Sequence, residues 1–296
     1  MQADYEKLVK RAASFAIVVA ASLILVKAFA WWKTGSMAIL AAMTDSLVDL
    51  FASLTNIVVL RFALQPADEE HSFGHGKAES LAALAQSAFI TGSAAFLLLQ
   101  GIQRLTEPQL IVETELGIAI SLISIALTAL LVLYQRKVVK LTQSPAIEAD
   151  SLHYQTDLLM NGAILVAMLL NMWGFIYADA LFAIGIALYI VLNAAKMMWE
   201  AVQSLLDKAL PQAEIDQIWC IALNHPRILG IHDVKTRRSG STRFIQLHLE
   251  LDDHLPFFEA HDISDSLEEK LREAFPLSEI IIHQEPTSVV KAEKMA

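Results

Sequence analysis

Six stretches of this 296-residue chain are long and apolar enough to cross a bilayer: 10–32, 36–62, 80–104, 115–135, 147–172 and 178–205. A spanning helix needs about 20 predominantly apolar residues. No such stretch follows residue 208. The chain is 55% hydrophobic and 18% charged, against about 45–50% and about 25% in soluble domains. That excludes an ordinary soluble enzyme and a disordered chain. A net charge of −10 argues against a nucleic-acid partner. The single cysteine, Cys220, excludes a disulfide framework and Cys-rich metal sites. The first run is too long for a cleaved leader, and Trp31-Trp32-Lys33 reads as an interfacial anchor.

Basic residues in the short flanks set the orientation. With the N-terminus in the cytoplasm, inner flanks hold Lys7, Lys10, Arg11, Arg61, Lys77, Arg136, Lys137, Lys140 and Lys208, and outer flanks hold Lys33 and Arg104. Six spans return the tail, residues 209–296, to the cytoplasm, where a lone thiol stays reduced. In the tail, Pro211 opens a helix over 211–224. Strands follow at 230–237 and 242–252 around Ser239-Gly240, then a helix at 257–274 and a strand at 279–285. In Phe244–Leu251 the leucines and Ile245 share one face while Gln246, His248 and Glu250 share the other. The last ten residues read as frayed. The expected fold is a multi-pass α-helical membrane protein, six transmembrane helices over 1–208, with a cytoplasmic α+β (α-β-β-α-β) C-terminal domain over 209–296.

Ionisable side chains inside spans are costly and require a reason. Span 2 carries Asp45 and Asp49, and span 5 carries His153 and Asp157. Each pair is spaced i, i+4 and so lies on one helical face. Ser53 and Asn56 extend the first stripe, and Asn161 the second. Three carboxylates and one imidazole make a four-ligand set of one nitrogen and three oxygens. Zinc accepts that set tetrahedrally, and Mn²⁺ or Fe²⁺ also suit oxygen-rich sites. The bland alternative is interhelical hydrogen-bonding glue. Lys27 in span 1 either snorkels or pairs.

Two further groups of candidate ligands lie outside the spans. Asp68, His71 and His75 fall in the loop between spans 2 and 3, where they form either a metal site or a solvated acidic turn. In the tail, His283 and Glu285 share a strand face, His248 lies on the polar face of a neighbouring strand, His232 opens the first strand, and His261 starts the second helix. Neighbouring strands bring such groups to one side of a small sheet. His225 and His254 read as exposed or capping residues.

The pattern as a whole, with Asp-x₃-Asp in span 2, His71-Ser-Phe-Gly-His75-Gly-Lys-Ala-Glu-Ser, and Asp150-Ser-Leu-His153-Tyr-Gln-Thr-Asp157, resembles the cation diffusion facilitator family over essentially the whole chain. The resemblance implies a homodimer in the bacterial inner membrane that exports Zn²⁺, with Cd²⁺ and Fe²⁺ as further substrates, in exchange for protons by alternating access. It implies no enzymatic activity and no organic cofactor. It places transport at Asp45, Asp49, His153 and Asp157, a second site at Asp68, His71 and His75, and a dinuclear regulatory site at His232, His248, His261, His283 and Glu285, where close relatives carry Asp at the last position. It further implies an interlock between Lys77 and Asp207 and a hydrophobic gate containing Leu152.

Three other readings are weaker. An intramembrane metalloprotease needs a His-Glu-x-x-His helix, which is absent from the sequence. A channel conducts poorly through chelating ligands. A sensor without transport leaves the intramembrane carboxylates without a purpose. The chain also has no Gly-x₄-Gly-Lys-Ser/Thr loop for driving export by ATP hydrolysis.

Overall fold

The computed structural model describes residues 2–35, 37–106, 115–173, 175 and 177–293. The chain divides into a helical unit, Asp4–Val202, and a C-terminal unit from Gln203 onward. Six long helices carry the apolar runs: α1 (Gln2–Thr34), α2 (Met37–Ala63), α3 (Lys77–Thr106), α4 (Glu115–Thr142), α5 (Pro145–Met172) and α6 (Ala178–Leu205). Among the described residues, five of them (α1, α2, α3, α4 and α6) are long and apolar enough to span a membrane. The remaining one, α5, has 28 residues, and its run is interrupted by Glu148, Asp150, His153 and Asp157.

Small residues hold these helices together. Ala83, Ile90 and Ala94 of α3 pack with Ala149 and Leu152 of α5 and with Ile190, Ala194, Met197 and Ala201 of α6. Lipid is as apolar as a leucine side chain, so membrane helices gain most from close backbone approach through small residues. Gly101 of α3 is the tightest such point: a Cβ there would lie 2.8 Å from Ile184 Cγ1 and 3.2 Å from its backbone nitrogen. Large apolar side chains such as Leu25, Trp32, Leu133 and Leu192 point outward and are exposed, the inverse of a soluble bundle.

Polar bonds pin the helices at a few places. Buried Glu79 of α3 accepts from Tyr5 OH of α1 (2.7 Å) and from Ser144 Oγ, just before α5 (2.5 Å). Gln135 of α4 donates to Asp150 of α5 at 2.6 Å. Ser53 of α2 and Tyr154 of α5 share a hydrogen bond of 2.7 Å. In an apolar medium these bonds replace solvation that the polar groups would otherwise lack.

The C-terminal unit contains α7 (Gln212–Leu223), β1 (Gly230–Ser239), β2 (Thr242–Leu251), α8 (Phe257–Ala274), β3 (Ser278–Pro286) and α9 (Thr287–Glu293). The sheet order is β1-β2-β3. β1 and β2 form an antiparallel hairpin, and Gly240 meets its turn's need for positive φ at +56°. β2 and β3 are parallel, as the intervening crossover helix α8 allows. Ile245, Leu247, Leu249 and Leu251 form one buried face against Ile218 of α7 and Ile263, Leu267 and Leu271 of α8. The sheet's other face is left for His248 and its neighbours.

One expectation is corrected. Residues 287–293 form α9 rather than a frayed tail. Thr287 Oγ1 donates to the Leu251 carbonyl (3.0 Å), the Ser288 N–H donates to Asp253 Oδ1 (2.9 Å), and Val290 is buried. The Ser288 N–H holds the Asp253 carboxyl below its usual range. Local polarity suggested fraying, while contacts made 36 residues away in sequence impose the helix.

The α3–α6 approach makes a direct prediction. Gly101→Val should destabilise the detergent-solubilised protein by about 1–3 kcal/mol, the usual cost of overpacking, read as a lowered midpoint of thermal unfolding. Gly92→Ala, where a Cβ meets nothing within 4 Å, should leave the midpoint almost unchanged.

Candidate metal centres

Asp49 of α2 faces His153 and Asp157 of α5. His153 Nε2 lies 3.0 Å from Asp49 Oδ1 and 4.0 Å from Asp157 Oδ2, and ligand atoms of all three residues fall within 4.8 Å of one another. Two ligands each about 2.0–2.1 Å from a tetrahedral metal are separated by about 3.3 Å, so only a small adjustment would close the three around an ion. Asp45, one turn away on α2, lies outside that triad but lines the same cavity of about 490 Å³ between α2, α3 and α5. The described structure therefore gathers three of the four expected ligands and leaves Asp45 outside their triad. Leu152, one residue before His153, is buried against α3 and α6.

The second group occupies the loop between α2 and α3. Asp68 Oδ1 accepts from the backbone N–H groups of Glu70 (3.0 Å) and His71 (2.6 Å), and the turn is completed by Gly74 at φ +74°. The His71 N–H bond is the main cause that holds the Asp68 carboxyl below its usual range, so the group is ready to act as a charged ligand. Its oxygens lie 3.5 Å from His71 Nδ1 and 3.4 Å from His75 Nε2. The His75 ring is buried and packs edge-on against Phe62, and its Nδ1 has no hydrogen-bond partner among the described residues. Lys77 follows as the first residue of α3.

The third group lies on the open face of the C-terminal sheet. Strand register places His232 opposite His248, and His248 opposite His283. Glu285 sits at the centre of this row. Its Oε2 is 3.0 Å from His232 Nε2, and its Oε1 is 2.7 Å from His248 Nδ1 and 3.4 Å from His283 Nε2. Glu285 is only 7% exposed, and His232 Nδ1 is buried with no hydrogen-bond partner among the described residues. Two imidazoles and a carboxylate within 4.8 Å make a donor set that fits Zn²⁺, so the residues present suit a bound metal. His261, by contrast, lies on the exposed side of α8, 3.4 Å from Asp265, outside this group. Asp207 pairs with Arg237 of β1 at 3.3 Å.

Asp233 is a neighbour that simple strand alternation misses. A bulge between His232 and Lys235, with Asp233 at φ +46°, brings its carboxylate 3.6 Å from His248 Nε2 and 2.7 Å from Lys235 Nζ. The Lys235 bond keeps the Asp233 carboxyl below its usual range. Perfect alternation from His232 would have put it on the opposite face. The nearest signal in the sequence is its position beside His232.

Comparison with known proteins gives the family. Residues 13–206 match the cation efflux transmembrane domain, and residues 210–287 match the cation efflux protein cytoplasmic domain. The chain belongs to the cation efflux, or cation diffusion facilitator, family. It is 56% identical to the cation-efflux pump FieF of Yersinia enterocolitica over 100% of this chain and 99% of the relative. The FieF pump of Klebsiella pneumoniae is also 56% identical, over 99% of this chain and 97% of its own. A solved metal-bound C-terminal domain of the CzcD transporter from Thermotoga maritima is 25% identical, covering 25% of this chain and 88% of that one, with a TM-score of 0.25. As a family member, the chain is a multi-pass membrane transporter of metal cations.

The position of Glu285 among three histidines carries a prediction. Glu285→Ala in the full-length protein should weaken Zn²⁺ binding at this site by at least the roughly 10–100-fold typical of lost metal-site support. His254→Ala should leave it unchanged. Both are read by zinc titration of the purified protein in competition with a chelator.

Proposed function

We propose that the protein is a proton-coupled antiporter that exports Zn²⁺ from the cytoplasm, with Cd²⁺ and Fe²⁺ as further substrates, by alternating access around Asp45, Asp49, His153 and Asp157. The observation that carries this reading is the approach of His153 to Asp49 and Asp157 on helices of membrane-spanning length. A chelating cluster at that depth fits a carrier better than a pore, because tight binding slows conduction.

Ligands must shed protons to bind metal, so loading and proton release are linked. Facing the cytoplasm, the deprotonated cluster takes up the ion. Facing the other side, protonation expels it. Ligands this close share their protons, so the exchanged proton belongs to the cluster rather than to one residue. The electrical term also favours exchange. Moving one charge through 100 mV is worth about 2.3 kcal/mol, so one inward proton offsets about half the electrical cost of exporting a divalent cation.

In this proposal residues 1–208 transport and residues 209–296 bind metal and dimerise. The N- and C-termini face the cytoplasm of a bacterium, and the protein sits in the inner membrane as a homodimer. Metal at His232, His248, His283 and Glu285 raises transport when cytoplasmic metal is abundant. Asp68, His71 and His75 form a second metal site, Lys77 and Asp207 interlock near the membrane face, and Leu152 belongs to the hydrophobic gate.

The test is Zn²⁺ uptake into proteoliposomes with and without a pH gradient. Saturable, gradient-driven uptake is expected, and Asp49→Ala should reduce it at least 100-fold, on the order of 3 kcal/mol of lost stabilisation. Uptake indifferent to the gradient would overturn proton coupling, and an Asp49→Ala protein as active as the native one would overturn the assigned site.

A further inference from the structure

A lysine within a bilayer-spanning helix is costly unless it reaches the interface or is paired. Lys27 of α1 turns into the bundle instead. Its ammonium donates to the Ala42 carbonyl at 3.0 Å and to Ser46 Oγ at 2.7 Å, both on α2. Ser46 is 1% exposed, so the bond is shielded. Both acceptors are neutral, and they leave the ammonium's charge uncancelled while fixing its position. That position matters because Ala42 and Ser46, one turn apart, bracket Asp45 on the side of α2 that also carries Asp49. Asp49, Asp157 and Asp45 are the charges that act on Lys27. The lysine is thus anchored beside the carboxylate cluster without being one of its ligands.

We propose that Lys27 is a fixed internal cation that sets the charge of the transport site, so that the site becomes neutral on binding one divalent ion. This rests on reading Asp45, Asp49, His153 and Asp157 as that site. With its carboxylates ionised and His153 neutral, the cluster carries three negative charges. Lys27 reduces this to two, the charge that a divalent cation cancels. In a low-dielectric interior an uncompensated charge is expensive. A loaded site without Lys27 would keep one net negative charge through the conformational change. It would also hold its cation more tightly, because the repulsion between ammonium and bound metal would be gone. Lys27 is therefore a positioning and charge-setting residue: it trades affinity for turnover, and its effect on binding and on transport should have opposite signs.

The experiment measures initial rates of Zn²⁺ uptake by the full-length protein in proteoliposomes under a fixed pH gradient, for the native chain, Lys27→Gln and Lys27→Arg. Lys27→Gln should lower KM several-fold and kcat about tenfold, whereas Lys27→Arg, which keeps the charge, should stay within about twofold of the native chain in both. Unchanged constants for Lys27→Gln would overturn the proposal, as would a raised KM, which would mark Lys27 as a structural tether alone. A Lys27→Arg protein as impaired as Lys27→Gln would overturn it too, because shape rather than charge would then be at work. Should Lys27→Gln fail to fold, Lys27→Met keeps the apolar stem and carries the same expectation. Asp49→Ala is run alongside: if it is inactive while Lys27→Gln behaves like the native chain, only this inference fails, and if it transports normally, the site assignment fails with it.

Discussion

Placing an ionised carboxylate near the centre of a bilayer costs several kcal/mol, and this chain places several polar and charged groups on two helices of its membrane unit. The arrangement of those helices follows from that cost. Asp49 and His153 satisfy each other because α2 and α5 turn them together, and the Ser53–Tyr154 hydrogen bond holds the two helices in that relation. One turn earlier on α5, Asp150 is bonded to Gln135 of α4. Large apolar side chains such as Leu25, Leu133 and Leu192 face outward. The solvent penalty thus selects the bundle's inner faces, and the inner faces bring together groups able to bind a cation.

The C-terminal domain solves a related problem by a different route. Three histidines and a glutamate on one open sheet face would be unremarkable if solvated separately. Parallel and antiparallel register align His232, His248 and His283 across three strands, and Glu285 touches all three. The sheet's other face is occupied by Ile245, Leu247, Leu249 and Leu251 packed on α8, so the histidine face cannot roll inward. A one-residue slip of β2 would exchange the two faces and expose the leucines. The hydrophobic core therefore guarantees the alignment of the histidine row.

Packing and chemistry also meet at Leu152, which is buried among the alanines of α3 and α6 one residue before His153. Small side chains let helix backbones approach closely and associate without a hydrophobic driving force. The seam sets α5, with His153 and Asp157, close against α3 and α6.

The sequence by itself determined the spans, their charged stripes and the tail's order of helices and strands, because hydrophobic length and periodicity are local properties. The i, i+4 spacing put Asp45 with Asp49 and His153 with Asp157 on shared faces, since helix geometry alone dictates it. Other features depended on relations between distant segments. Which three of those four ligands meet is decided by how α2 packs on α5. The approach of Asp233 to His248 is decided by a bulge that alternation does not anticipate, the position of His261 away from that row by the direction of α8's exposed face, and the order of residues 287–293 by bonds to Leu251 and Asp253. Lys27 is the clearest case: sequence shows a cation in a span, and only the fold shows that its tether to Ala42 and Ser46 sets it beside the carboxylates, because a long flexible side chain takes its position from its neighbours rather than from its own helix.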